Sequence, residues 1–232
     1  MLNEDERATL KDRYRTHGLV RIPAFLAGER ATGLHQLLRE RTDWLQLFNS
    51  GDKLFELDRA ARSSLDDSRQ AALDEAIYAG AREGFQYRYE TIRVPDGEAE
   101  RKASSDPLAR LALELSSGAM RALFREITGD PEIRFADAQA TAFSPGDFLT
   151  GHDDRFSGKN RRAAYVLGLT PVWRIEWGGL LVLHGDDDEA SLAFPPMMNV
   201  LTLFRVPRMH SVSEVTRSAP YRRYSITGWL RA

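Results

Sequence analysis

The stretch "FLTGHDDRF" at residues 148–156 sets His152, Asp153 and Asp154 in a row behind a glycine and a short apolar run. In an extended chain residues i and i+2 point the same way, so His152 and Asp154 share a face while Asp153 points off it. An imidazole and a carboxylate converging in this way can begin to chelate a divalent metal, although a His-x-Asp by itself matches a solvated turn as readily. A third ligand has to come from His17, His35, His184 or His210, the remaining four of five histidines. His17 and His35 fall on or beside N-terminal helical stretches and read as surface residues. His184 ends an apolar strand just before "GDDDE", and His210 opens the strand-like "HSVSEV", 56 residues beyond Asp154.

A second chemistry is written in "RRYSITGWL". With period two, Arg223, Ser225, Thr227 and Trp229 lie on one face, and Tyr224, Ile226 and Gly228 on the other. An arginine leading small hydroxyls and a tryptophan makes sense as a pocket wall whose guanidinium receives a carboxylate in a two-pronged hydrogen bond.

The elements that must position these residues change character once along the chain. Up to about residue 130 helical patterns dominate. "NEDERATLKDRYRTHG" predicts a helix from an Asn3 cap to a Gly18 stop, with Leu10 and Tyr14 on one face. "GLVRIPAFL" reads as a strand and "AGERATGLHQLLRER" as a helix carrying Leu34, Leu37, Leu38 and Arg41. "WLQLF" and "KLFEL" pair around "NSGD", "DSRQAALDEAIYAGARE" is a helix, and "FQYRYETIRV" is a strand that runs into the polar loop "PDGEAERKASSD". Helical stretches at 107–116 and 118–128 close this half. From residue 131 the period becomes two, and "IRFADAQATAF", "RAAYVLGL", "WGGLLVLH", "ASLAF", "NVLTLF", "HSVSEV" and "RYSITGWL" all read as short strands. So dense a run of strands is the signature of a sandwich or barrel. The expected fold is mainly β with flanking helices, α+β in class. It forms one domain over 1–232: a helical, mixed support and lid region at 1–130 and an all-β core at 131–232.

Composition removes several alternatives. The chain has 232 residues, 42% hydrophobic and 28% charged, as an ordinary globular protein does. A net charge of −2 offers nucleic acid or an anionic membrane no strong attraction. There is no cysteine, which excludes disulfides, thiolate metal sites and a cysteine nucleophile. The polar, acidic start "MLNEDERATLKDRYR" does not fit a signal peptide, and no apolar run approaches a membrane span, so a cytoplasmic location is expected.

Two histidines and an aspartate on a β-scaffold, with an arginine nearby, have the composition of the facial triad of non-haem Fe(II) oxygenases. Over residues 138 to 231 the chain resembles the Fe(II)/2-oxoglutarate-dependent dioxygenases, prolyl-hydroxylase-like branch. The motifs that carry the likeness are "FSPGDFLTGHDD", "RRAAYVLGLTPVWRIEWGGLLVLH", "PPMMNVLTLFRVPRMHSVSEV" and "RRYSITGWL", in that order. The resemblance implies a double-stranded β-helix (jelly roll) core. It implies His152, Asp154 and His210 as iron ligands, Arg223 as the anchor of the distal carboxylate of 2-oxoglutarate, Thr227 and Trp229 in the same pocket, and Leu181 and Val166 against the co-substrate's aliphatic part. It further implies O2 and 2-oxoglutarate as partners in hydroxylation of an unactivated C–H bond, most naturally on a prolyl residue of a protein or peptide, with ascorbate as a candidate reductant. Two positions depart from the pattern. Phe143 stands where relatives carry a tyrosine, and Gly168 where some prolyl hydroxylases place one that shares the distal carboxylate. Tyr165 falls on the opposite face by alternation, so Thr141, Gln139 or water would have to substitute.

Substrate identity is less legible. "GFQYRYETIRVPDGEAERKASSD" (84–106) is the expected lid, with Tyr87, Arg88 and Tyr89 as substrate contacts. Trp173 and Trp177 read as structural, "GDDDE" (185–189) as a solvated acidic turn, and "RRAA" (161–164) as a basic strand entrance. Two alternatives stand beside the prolyl reading: hydroxylation of a free amino acid or natural-product intermediate, and a catalytically silent jelly roll that senses a metal or ligand. A homodimer stays open, since no interface signal is present.

Overall fold

The computed structural model describes residues 2–51, 53–156, 158–185 and 190–232. The acidic run expected as a solvated turn lies at 186–189, outside the described residues.

Among the described residues seven helices precede the β-rich half: α1 (Glu4–His17), α2 (Arg30–Glu40), α3 (Arg59–Ser63), α4 (Asp67–Glu83), α5 (Glu98–Ala103), α6 (Pro107–Leu115) and α7 (Gly118–Thr128). Four strands run between them: β1 (Leu19–Pro23), β2 (Leu45–Ser50), β3 (Lys53–Asp58) and β4 (Tyr87–Arg93). Nine more follow: β5 (Phe135–Ala136), β6 (Gln139–Phe143), β7 (Phe148–His152), β8 (Arg161–Gly168), β9 (Leu181–His184), β10 (Ser191–Phe194), β11 (Val200–Arg205), β12 (His210–Val212) and β13 (Arg223–Arg231).

The helix ends follow their sequence signals. Asn3 accepts from Glu6 N while the Glu6 side chain accepts from Asn3 N, a reciprocal cap, and Gly18 ends α1 with φ +64°. Asp66 and Asp106 cap α4 and α6 by accepting from the backbone N–H of Arg69 and Leu108, and Pro107 fits the first turn, where its missing N–H costs nothing. Two expectations fail locally. Arg41 lies just beyond α2, where its guanidinium bridges Asp43 and Asp106. The polar loop after β4 contains α5, which has no apolar stripe to announce it. It is pinned by the buried Arg101, which donates to the carbonyls of Pro95, Ala112 and Ala136.

One curled antiparallel sheet carries the site, in the order β1-β11-β8-β13-β6-β4-β7-β12-β9-β10, with β2 and β3 attached beside β4 and β5 beside β13. Alternation sorts its residues onto two faces. Ala163, Tyr165 and Leu167 of β8 and Tyr224, Ile226 and Leu230 of β13 join the helix-side core with Leu10, Leu38, Leu111 and Phe124. Ala164 and Val166 of β8 and Trp229 of β13 turn inward to Leu181, Leu183 and Phe204. This is the jelly-roll arrangement of helices on one face and a lined interior on the other. Tyr165 is on the helix side, as alternation requires, where its hydroxyl donates to Asp137 O at 2.6 Å. The N-terminal half is more than a support: β4, expected as part of a lid, is built into the sheet between β6 and β7. Among the described residues no helix is long and apolar enough to cross a membrane.

Gly168 ends β8 under the chain at 195–199. A Cβ at this position would run into the Met197 carbonyl oxygen, well inside any non-bonded distance. The missing tyrosine is therefore not simply absent; this backbone leaves no room for a side chain. Gly168→Ala should destabilise the protein by about 2 kcal/mol or more, because an overpacked site must displace main chain. A denaturant midpoint equal to that of the wild type would contradict this.

Candidate metal and co-substrate site

Strands β7 and β12 bring the two histidines together. His210 is the cross-strand partner of His152, and their ring centroids lie 4.1 Å apart. Asp154 reaches them by a route different from the one its spacing predicts. β7 ends at His152, and Asp154 adopts φ +62°, a left-handed conformation that aspartate tolerates better than most residues. That turn, rather than strand alternation, brings the carboxylate back. Its Oδ1 lies 3.4 Å from His152 Nε2 and its Oδ2 3.3 Å from His210 Nε2. One ligand atom from each of the three residues falls within a 4.8 Å span. Asp153 instead accepts from the Arg155 backbone N–H at 2.9 Å, as a residue outside the cluster.

The protonation pattern suits a cation. His152 Nδ1 lies 3.0 Å from Thr150 O, and His210 Nδ1 lies 2.8 Å from Arg208 O. A carbonyl can only accept, so each Nδ1 carries a proton and each ring turns its Nε2 toward Asp154. Burial first, then the neighbouring His152, push the His210 imidazole down to about 4, so it is neutral at ordinary pH. Burial alone would raise the Asp154 pKa, but the adjacent imidazoles overcome it and hold the carboxyl below its usual value. Two imidazole nitrogens and a carboxylate converge on one point. This donor set fits a divalent transition metal such as Fe(II), and the carbonyl-bound Nδ1–H groups fix ring orientation as such ligands require.

The triad opens into a cavity of about 490 Å³ whose walls include Arg223, Thr227 and Trp229 from β13, Val166 from β8 and Leu181 from β9. Arg223 is 2% exposed, its guanidinium lies 4.9 Å from the centre of the Phe143 ring, and its Nε has no hydrogen-bond partner. Among the described residues no carboxylate forms an ion pair with it. Burial lowers its pKa to about 10, so it keeps its charge at neutral pH. An unpaired buried cation facing a cavity is costly unless an anion completes it, and the distal carboxylate of 2-oxoglutarate has the required chemistry. Thr141 and Gln139, the expected substitutes for the missing tyrosines, both have partners already. Thr141 Oγ1 lies 2.8 Å from Ser225 Oγ, and Gln139 Nε2 donates to Thr227 Oγ1 at 3.4 Å.

Several other expectations change. Arg161, read as a strand entrance, belongs to the site: it stacks 3.5 Å over the Trp229 ring and donates to Asp154 O at 3.0 Å. Strand parity with Val166 would turn Arg162 inward, but the register shifts between Ala163 and Arg161 opposite β13, and this irregularity, which the alternation does not signal, brings Arg161 to the cavity instead. Tyr87 and Tyr89 line the cavity, but Arg88 faces away and is spent on Asp147 and Asp74 at 3.0 and 2.6 Å. His35 is partly buried, its Nδ1 2.8 Å from Leu169 O, rather than on the surface, whereas His17 is exposed as expected. His184 lies outside the triad, with Nε2 2.9 Å from Ser211 Oγ. Trp173 and Trp177 pack edge to face near Val215, a structural role.

A curled jelly roll with such a triad and an inward arginine defines a class of metal-dependent oxygenase folds, and comparison with known proteins agrees. Residues 138–231 match the family model of the 2OG-Fe(II) oxygenase superfamily. A prolyl 3-hydroxylase OGFOD1 of Xenopus laevis is 35% identical over 101 residues, covering 40% of this chain and 19% of that one. The chain aligns to less than a third of the length of the curated relatives it matches. Among solved structures, a Pseudomonas putida prolyl-4-hydroxylase is similar with a TM-score of 0.63 at 20% identity, covering 97% of this chain and 98% of that one. A Trichoplax adhaerens prolyl hydroxylase, solved with a hypoxia inducible factor peptide fragment, gives 0.62 at 18% identity over 97% and 89%. The family that this segment matches is one of Fe(II)- and 2-oxoglutarate-using oxygenases.

Proposed function

We propose that this chain is an Fe(II)- and 2-oxoglutarate-dependent hydroxylase acting on a prolyl residue of a protein or peptide. In this reading His152, Asp154 and His210 hold the iron, and Arg223, Thr227, Trp229, Val166 and Leu181 hold 2-oxoglutarate. The observation that carries it is the convergence of three metal-ligating atoms beside an unpaired buried guanidinium.

Bound iron and 2-oxoglutarate supply the oxidising chemistry, consuming O2 and releasing succinate and CO2 as a C–H bond becomes C–OH. The chain's own residues bind, orient and exclude. The Thr150 and Arg208 carbonyls hold the imidazole Nε2 atoms inward, and Arg161 ties down the main chain at Asp154. Val166, Leu181 and Phe204 give the cavity apolar walls that exclude water. The substrate reading rests on the mouth, where Phe85 (51% exposed) and Phe156 (59%) stand beside Tyr87. Aromatic faces suit a pyrrolidine ring within an extended peptide, and the Trichoplax relative was solved with a peptide.

The test is turnover of 2-oxoglutarate to succinate by the purified chain with Fe(II), O2 and ascorbate, with and without proline-containing peptides. Mass spectrometry then searches for products 16 Da heavier. Peptide-stimulated succinate and a hydroxylated proline are expected. Stimulation by free amino acids alone would move the substrate assignment to small molecules. No succinate under any condition would leave a ligand-binding protein.

A further inference from the structure

Gly168 cannot carry a side chain, and Thr141 and Gln139 are already hydrogen-bonded to neighbouring side chains, so a charged partner for a distal carboxylate is sought on another element. A small cavity of about 20 Å³ adjoins the main one and shares Val166, Leu181 and Arg223 as walls. Its other polar side chains are Arg21 of β1 and Thr202 of β11. The register Arg21↔Thr202, Thr202↔Val166 and Val166↔Thr227 sets four residues in one row across β1, β11, β8 and β13. Directly opposed residues share a face, so Arg21 projects from the face that carries Val166 and Thr227.

Arg21 resembles Arg223 in having no complement. Its Nε is buried without a hydrogen-bond partner, and among the described residues no carboxylate forms an ion pair with it. The Phe194 ring, 4.8 Å from the guanidinium, holds it in place. Burial lowers its pKa, the sign of an environment that offers it no counter-charge. Among the described residues nine buried side-chain atoms lack hydrogen-bond partners, and four of them, on Arg21, Arg161, Arg223 and Trp229, belong to residues lining these two adjoining cavities. Polar groups left unmet in a core mark where a ligand completes the network.

We propose that Arg21 is a second co-substrate-binding residue, sharing the distal carboxylate of 2-oxoglutarate with Arg223 in place of the hydroxyl that Gly168 excludes. This rests on the reading that 2-oxoglutarate occupies the main cavity. The anchor would then be assembled from two distant parts of the chain, since β1 lies outside residues 138–231, the segment shared with the family. Two guanidiniums on one carboxylate also set a specificity: they favour a five-carbon 2-oxo diacid over the matching monoacid, which offers them nothing to bind.

The experiment is calorimetric titration of the Mn(II)-loaded full chain with 2-oxoglutarate and, separately, with 2-oxovalerate. Arg21→Gln and Arg21→Met should each weaken 2-oxoglutarate binding roughly 10-fold or more, the loss expected for a hydrogen bond to a charged group. Binding of 2-oxovalerate should not change, so the preference for the diacid falls by the same factor. Arg21→Lys should recover part of it, and in turnover KM for 2-oxoglutarate should rise while kcat holds. If Arg21→Gln unfolds, Arg21→Met, which keeps the stem against Phe194, gives the same reading. Wild-type affinity for 2-oxoglutarate in both variants would overturn the role of Arg21 and leave the co-substrate assignment standing. A wild type that binds no 2-oxoglutarate would overturn both.

Discussion

Asp154→Ala should abolish Fe(II)-dependent turnover of 2-oxoglutarate while leaving a folded protein. Loss of a residue that merely orients a metal ligand commonly lowers metal affinity or activity 10–100-fold, so loss of a ligand itself should exceed about 100-fold. The fold should persist because the Asp154 carboxylate closes no ladder and belongs to no apolar cluster. What it touches is His152 Nε2, His210 Nε2 and, at 3.8 Å, Arg161. The imidazoles would keep their orientation through Thr150 O and Arg208 O. Succinate formation and equilibrium Fe(II) binding, followed beside circular dichroism, make the check. A variant that binds iron and turns over 2-oxoglutarate as the wild type does would remove Asp154 from the site.

Arg223→Met should push stability and binding in opposite directions. Removing one partner of a buried, hydrogen-bonded charge pair costs roughly 2–5 kcal/mol of binding, so 2-oxoglutarate affinity should fall ~30-fold or more. In the protein without co-substrate, however, Arg223 is a buried charge with no anion beside it. An apolar side chain of similar volume relieves that cost, as it does when buried charges are replaced elsewhere. The variant's unfolding midpoint should therefore rise by an amount equivalent to about 1 kcal/mol or more, and it should cease to respond to added 2-oxoglutarate. A midpoint that falls, or one that still climbs with 2-oxoglutarate, would show that the guanidinium already has a protein partner.

Local chemistry made much of this legible in advance. The α1 caps, the β2–β3 hairpin, the β13 alternation that turns Arg223 inward and the placing of Tyr165 on the helix side all follow from turn residues and period two. Asp154 was placed beside His152 correctly but for the wrong local reason. Strand alternation does not extend past residue 152, and a positive φ, which periodicity cannot register, does the work. Arg161 is hidden because a register shift at the start of β8 reverses the parity that Ala164 and Val166 set, and such an irregularity leaves no mark on "RR". Arg21 was hidden more deeply: its neighbours Thr202 and Phe194 lie more than 170 residues away, and non-local pairing leaves no mark on a short apolar strand. α5 escaped because a buried arginine, rather than an amphipathic stripe, pins it.

The placement of β4 has a further consequence. Its seven residues, Tyr87–Arg93, lie between β6 and β7, and no direct ladder joins those two strands. β6 leads to the strand bearing Arg223, and β7 carries His152. Severed from β4, the stretch at 138–231 would become two ribbons with raw edges, joined across the interior by side-chain packing and no longer by a ladder. The span from the ligand-bearing ribbon to the guanidinium is thus calibrated by a spacer borrowed from far upstream. Changes in β4 that touch no reactant would still alter the chemistry, by resetting that span.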